Sequence, residues 1–263
     1  MAQLKKISEA FDKGQAALMP YFTIGYPDHE TSLNVIETCV QAGADLIELG
    51  VPFSDPLADG PTIQHSTQVA LENGITVKRC LEAVAELRAR GVMIPLILMG
   101  YVNPVLAYGL EKFVVEAAQA GASGFIIPDL PPEEASELQA LCQQHGLDLI
   151  FLLPPNSSAE RIRFVTKQSS GFIYLVSVLG ITGERHTLPA ELAEFVERVR
   201  AQTEKPLAVG FGISTPAQAA AVGEIADGVI VGSALIKAAG QPGDSVDAAR
   251  QFVSSLKGAL NSG

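Results

Sequence analysis

Acidic side chains gather in one otherwise apolar stretch of the 263-residue chain, LIELGVPFSDPLADGPTIQHS. Glu48 lies near the end of the run ADLIELGV, where a lone buried carboxylate would cost several kcal/mol. It is either a strand-end acid paired with a donor or turned to solvent, or a carboxyl at the mouth of a site. In the second case partial desolvation would tune it for proton transfer. Asp55 and Asp59 follow among Pro52, Pro56, Gly60 and Pro61. Asp caps backbone N–H groups in turns, so each of the two taken singly reads as a turn residue. Their combination with Glu48 says more. Glu48 and Asp59 stand eleven residues apart on one strand–loop unit, and paired carboxyls suit general acid–base work. The loop carrying Asp59 is a candidate lid over the site.

A second group of residues is made of glycines. GFGIST (Gly210–Thr215) and VGSALIK (Val231–Lys237) each follow a late apolar run, and SVLGITGER lies upstream of both. Singly, each glycine is an ordinary turn former. Together, Gly212, Gly232 and Ser233 offer backbone N–H groups to an anion, with Gly183 adding one from the side, which is how helix N-termini cradle phosphate. The formal net charge of −11 does not oppose this, because backbone dipoles supply the positive end.

Other chemistries find no pattern. His29, His65, His145 and His186 show no HxxxH or HExxH spacing, so no metal site is expected. His65 follows the acidic loop and is the one histidine worth a catalytic test, although a loop histidine is the plainer reading. GxSxG, the P-loop and a complete GxGxxG are absent. With 18 basic against 29 acidic residues, the chain carries no basic footprint for nucleic acid or an anionic membrane. Cys39, Cys80 and Cys142 lie far apart in apolar stretches and read as buried, reduced thiols. The start, MAQLKKISEAFDKG, reads as an amphipathic helix rather than an export signal. The chain's most apolar segment, Val92 to Val102, is broken by Pro95 and Gly100 and is too short for a membrane span. A soluble cytoplasmic protein is the expectation.

The elements that must position these residues alternate along the chain. Eight apolar runs rich in Ile, Leu, Val and Phe read as strands covered on both faces: Ala17–Gly25, Ala44–Val51, Ile94–Tyr101, Ser123–Asp129, Leu147–Pro154, Gly171–Val178, Pro206–Gly212 and Asp227–Ser233. Helical periodicity follows each, as in Val77, Leu81, Val84 and Leu87, with Gly43, Gly91 and Gly146 as stops. Eight such repeats without a linker predict an α/β protein, a single (β/α)8 barrel over residues 1–263. An N-terminal helix and long loops after the second and sixth strands complete the expectation. Spacing alone also fits a doubly wound open sheet. In a barrel, Glu48, Asp59 and the glycine motifs would all fall at the C-terminal ends of the strands, where such folds keep their active sites.

Set in this frame, LIELGVPFSDPLADGPTIQ resembles the signature of tryptophan synthase α subunits. MGYVNPVLAYG, PDLPPEEA, LLPPNSS, the sixth strand with GITGER, GFGIST and VGSALIK match in family order from about Ala17 to Lys237. The resemblance implies a lyase that cleaves indole-3-glycerol phosphate to indole and glyceraldehyde 3-phosphate, without metal or organic cofactor. Pyridoxal phosphate would belong only to a β subunit that receives the indole in an α2β2 complex. By the family pattern Glu48 moves protons at indole C3 and at the glycerol hydroxyl, Asp59 accepts the indole N–H, and Tyr174 lines the cleavage region. Gly183, Gly212, Gly232 and Ser233 match phosphate contacts, and Tyr21, Ile126, Leu152 and Phe211 match the indole pocket. Asp55, Pro56, Asn103 and Asp129 match the partner interface. Tyr26 departs from the acid common there, and Val178 and Leu179 from polar or small residues, which bears on lid closure and partner fit. A stand-alone lyase releasing free indole, or a noncatalytic partner of a β-like subunit, are the rival readings.

Overall fold

The computed structural model describes residues 4–177, 190–210 and 212–262. Gly183, Val178, Leu179, His186 and Phe211 lie outside the described residues. The strands are β1 (Ala17–Thr23), β2 (Ile47–Gly50), β3 (Leu96–Met99), β4 (Gly124–Ile126), β5 (Asp148–Ile150), β6 (Leu152–Leu153), β7 (Ile173–Val176), β8 (Leu207–Gly210) and β9 (Gly228–Val231). All pair in parallel, in the order β5-β4-β3-β2-β1-β9-β8-β7-β6. Every predicted strand is present, and the fifth run is split in two. Its first piece pairs with β4 and its second with β7, so Phe151 is the seam that nearly closes the barrel. The seam is stitched by hydrogen bonds: Phe151 N–H donates to Ser169 Oγ at 3.1 Å, and its carbonyl accepts from Tyr174 N–H at 3.2 Å.

The helices are α1 (His29–Gln41), α2 (Pro61–Glu72), α3 (Val77–Ala89), α4 (Val102–Tyr108), α5 (Leu110–Ala120), α6 (Ser136–His145), α7 (Ala159–Gln168), α8 (Ala190–Arg200), α9 (Pro216–Gly223), α10 (Ser233–Ala239) and α11 (Ser245–Leu260). Asp28, Thr76, Ser158 and Thr215 cap α1, α3, α7 and α9 by accepting an N–H of the first turn, and Gly121 and Gly146 end α5 and α6 in the left-handed conformation. The segment after β2 is shorter as a loop than its length suggests. Residues 51–60 are irregular, and α2 takes up the next twelve. The face that α2 buries is Ser66, Thr67 and Ala70, which hydrophobic periodicity does not register.

The expected N-terminal amphipathic helix is a single 3-10 turn, Ile7–Ala10. Its two apolar residues are buried, the Phe11 ring packs on Phe172 at 5.8 Å, and Lys5 N–H bonds to the Met93 carbonyl. The segment thus spends its apolar residues plugging the end of the barrel opposite the mouth. Beside it, the buried Asp45 carboxylate gathers Leu18 N–H at 2.8 Å, Lys257 Nζ at 2.8 Å and Lys13 Nζ. One carboxylate therefore ties the N-terminal segment, β1 and α11 together. Cys39, Cys80 and Cys142 are buried free thiols. Among the described residues no helix is long and apolar enough to cross a membrane.

Replacing Asp45 by Ala would leave the Leu18 N–H and two ammonium groups without their acceptor. A loss of about 3 kcal/mol in urea unfolding is expected, since breaking a buried charge network commonly costs that much. The Michaelis constant should not move, because the cluster lies away from the mouth.

Candidate active site

Strand register carries one face around the barrel. Tyr21 aligns with Glu48, Glu48 with Ile97, and Ile97 with Gly124; on the other side Leu152 aligns with Tyr174, and Tyr174 with Ala208. Residues two apart on a strand share a face, so Tyr21, Glu48, Ile126, Leu152 and Tyr174 all belong to one set. Tyr174 sits four strands from Glu48 yet feels the charge of both Glu48 and Asp59. Groups that far apart along the sheet meet only through the lumen, so this face points inward.

Glu48 is fully buried, and neither carboxyl oxygen has a hydrogen-bond partner among the described residues. Burial alone pushes its proton affinity up to about 8. Asp59, half-buried on the loop above, is pushed up only to about 6: burial raises it, and the Tyr101 hydroxyl, donating to Oδ2 at 3.0 Å, works against that rise. At neutral pH the barrel mouth therefore carries one protonated carboxyl and one predominantly ionised one. Two such groups set apart by environment are the usual arrangement of an acid and its partner base.

Two tyrosines crowd the same space. A Cβ on Gly50 would lie 2.2 Å from the Tyr21 hydroxyl, and one on Gly210 would lie 2.3 Å from that of Tyr174. Each ring thus leans over the neighbouring strand, and only glycine there makes room for its hydroxyl. Burial first, and the nearby carboxyls second, hold both phenols well above their usual range. Gly232 closes the ring of small residues, its missing Cβ position 3.3 Å from the Tyr21 Cβ and Cδ1. It precedes α10, whose first turn starts at Ser233, and Gly212 at φ 88° bends the chain beyond β8. First-turn N–H groups of a helix have no acceptor within it, so this edge of the mouth offers donors to an anion.

Residues 7–261 match the family model described as tryptophan synthase alpha chain. The tryptophan synthase alpha chain of Chloroflexus aurantiacus is 51% identical over 263 residues, covering 98% of this chain and 99% of that one. That of Chloroflexus aggregans is 53% identical over 89% of each. The chain belongs to the tryptophan synthase alpha chain family. Its barrel is similar to the crystal structure of tryptophan synthase subunit alpha from Legionella pneumophila, with a TM-score of 0.90, 39% identity and coverage of 97% and 98%. A structure of tryptophan synthase from M. tuberculosis in its aminoacrylate-bound form matches at TM-score 0.88 and 38% identity, covering 97% of this chain and 98% of that one.

Around this family's barrel mouth the structure adds residues that sequence reasoning passed over. Tyr101, following β3, donates to Asp59 and accepts Ala58 N–H at 3.0 Å, with Phe53 packed on its ring. The Asp129 carboxylate accepts Val102 N–H at 2.9 Å. Those bonds fasten the 51–60 loop, the start of α4 and the turn after β4 into one rim. Asp55, Asn103 and Asp129 are exposed on this rim and Pro56 is partly so. A polar-tipped aromatic just beyond an apolar strand, as in IPLILMGY, was the available signal for Tyr101. His65 lies elsewhere, exposed on α2 with its ring edge-on to Tyr26, in a surface pocket of about 370 Å³ that Lys237 also lines. No three His, Cys, Asp or Glu side chains among the described residues are grouped to hold a metal.

Because its proton is bound far more tightly in the folded state, Glu48 contributes stability that is present below the unfolded carboxyl range and lost as pH rises toward about 8. Glu48→Gln does not titrate. Urea unfolding from about pH 5 to about pH 8 should show the variant gaining on the wild type by a few kcal/mol. Parallel pH dependences would mean that Glu48 is hydrated.

Proposed function

We propose that the chain, working as one barrel domain over residues 1–263, cleaves indole-3-glycerol phosphate by a retro-aldol reaction. The observation that carries this reading is the pair of carboxyls at the barrel mouth with unequal proton affinity, one protonated and one charged at neutral pH. The carbon–carbon bond breaks only after indole C3 gains a proton, since the ring must leave as neutral indole. Glu48 gives its proton to C3, then takes the proton of the hydroxyl on the adjacent glycerol carbon. That oxygen forms the aldehyde carbonyl as the bonding pair returns to the ring, and Glu48 ends the cycle protonated. Asp59 accepts the indole N–H and balances the positive charge of the ring while C3 is tetrahedral.

The remaining residues hold the substrate in register. Tyr21, Ile126 and Leu152 wall the ring, and Tyr174 lines the cleavage region. Gly212, Gly232 and Ser233 take the phosphate on backbone N–H groups. The step needs no metal or organic cofactor, because every proton moved goes to or from Glu48; pyridoxal phosphate belongs to the β partner. That partner, in an α2β2 heterotetramer, would dock on Asp55, Pro56, Asn103 and Asp129. The same rim exposes Leu57 at 94% and Leu106 at 56%, apolar side chains that a docked subunit would cover. A complex of this kind would work in the cytoplasm.

Rate against pH tests the carboxyl assignment. Catalysis needs charged Asp59 and protonated Glu48, so kcat/KM should rise near pH 6 and fall near pH 8. Asp59→Asn should abolish turnover while substrate still binds; wild-type turnover would remove Asp59 from the mechanism.

Steady-state cleavage of indole-3-glycerol phosphate, with and without a tryptophan synthase β subunit, tests the function itself. Slow turnover that rises on adding the β subunit is expected. Fast turnover alone would identify a stand-alone lyase, and none in either condition would leave only a binding role.

A further inference from the structure

Three buried hydroxyls run from the lumen to α2: Tyr21 Oη lies 3.4 Å from Thr23 Oγ1, which lies 2.8 Å from Ser66 Oγ. Ser66 Oγ is also 2.9 Å from the Ile63 carbonyl within α2. A carbonyl can only accept, so the single Ser66 proton goes to Ile63. Ser66 must then accept from Thr23, and Thr23, its proton spent, accepts from Tyr21. The direction of the whole chain follows from its last member. Thr23 and Ser66 are fully buried, so no water competes for these protons.

The consequence appears at the lumen end. Tyr21 Oη stands over Gly50, two residues toward the mouth from Glu48 on the same inward face of β2. With its proton turned toward Thr23, the oxygen presents a lone pair to whatever lies above Glu48. We propose that Tyr21 is a hydrogen-bond acceptor for a hydroxyl of the substrate's glycerol chain, and so helps select a polyol substrate beyond walling the ring. This deepens the reading above and rests on it. Thr23 and Ser66 act through Tyr21 as positioning residues.

Two ligands separate this role from ring packing: indole-3-glycerol phosphate, and 3-(indol-3-yl)propyl phosphate, which keeps the ring and phosphate but lacks the chain hydroxyls. In Tyr21→Phe the KM for the first should rise roughly fivefold to tenfold, the worth of one neutral hydrogen bond. The inhibition constant of the second should stay within about twofold, since no hydrogen bond to that ligand is lost. Thr23→Val leaves the Tyr21 hydroxyl in place but no longer holds its proton away from the lumen; the KM for the first ligand should rise by less than in Tyr21→Phe while the inhibition constant of the second stays within about twofold, so the test survives if Tyr21→Phe does not fold. Equal weakening of both ligands would reduce Tyr21 to a packing residue, and an unchanged KM would leave its hydroxyl without a role; each overturns the proposal. Failure of the wild type to cleave indole-3-glycerol phosphate is a separate result and removes the underlying reading.

Discussion

A carboxyl that touches water nowhere and is offered no hydrogen bond is among the more expensive things a protein core can hold. Among the described residues Glu48 is such a group, on a short strand whose neighbours Ile47 and Leu49 are buried with it. The cost is limited only if the proton stays on, and burial sees to that. The surrounding structure is arranged around keeping this group dry yet reachable. Parallel strands joined by helical crossovers set its direction, the tyrosines narrow the space above it, and the 51–60 loop stands over the opening.

Asp59 differs from Glu48 because it is held by a rim and not by a strand. Its partner Tyr101 also fixes Ala58 N–H, and the residue after Tyr101 is fixed in turn by Asp129. The second carboxyl is thus positioned by a surface network, and its charge depends on hydrogen bonds that any disturbance of that rim would alter. A molecule resting on the rim would press on the same bonds that hold Asp59.

The strands and the acid pair were legible in the sequence because buried parallel strands are nearly pure in Ile, Leu, Val and Phe, and an acid at the end of one stands out. The seam at Phe151 was not, since a run such as LDLIFLLP gives no sign of changing partners halfway along. Helix α2 escaped because it buries hydroxyls and a methyl where periodicity looks for large apolar groups. The opening segment read as a helix from its mixed charges, but Ile7 and Ala10 are satisfied by one tight turn against the barrel floor. Tyr21 read as an apolar or aromatic wall. Its polar end acquires meaning only when Thr23 and a distant serine are brought beside it.

The room for the two lumen hydroxyls is provided by the neighbouring strands, through Gly50 for Tyr21 and Gly210 for Tyr174. Tyrosine and glycine at these places are therefore two halves of one steric unit, although they lie far apart in the chain. As the sequence drifts, positions 21 and 50 are not free to vary separately, nor are 174 and 210. A side chain gained at either glycine evicts a phenol, whereas a phenol lost first leaves a gap that a small side chain can fill. Descent through this fold has a permitted order of substitutions: the tyrosine must change before its glycine does.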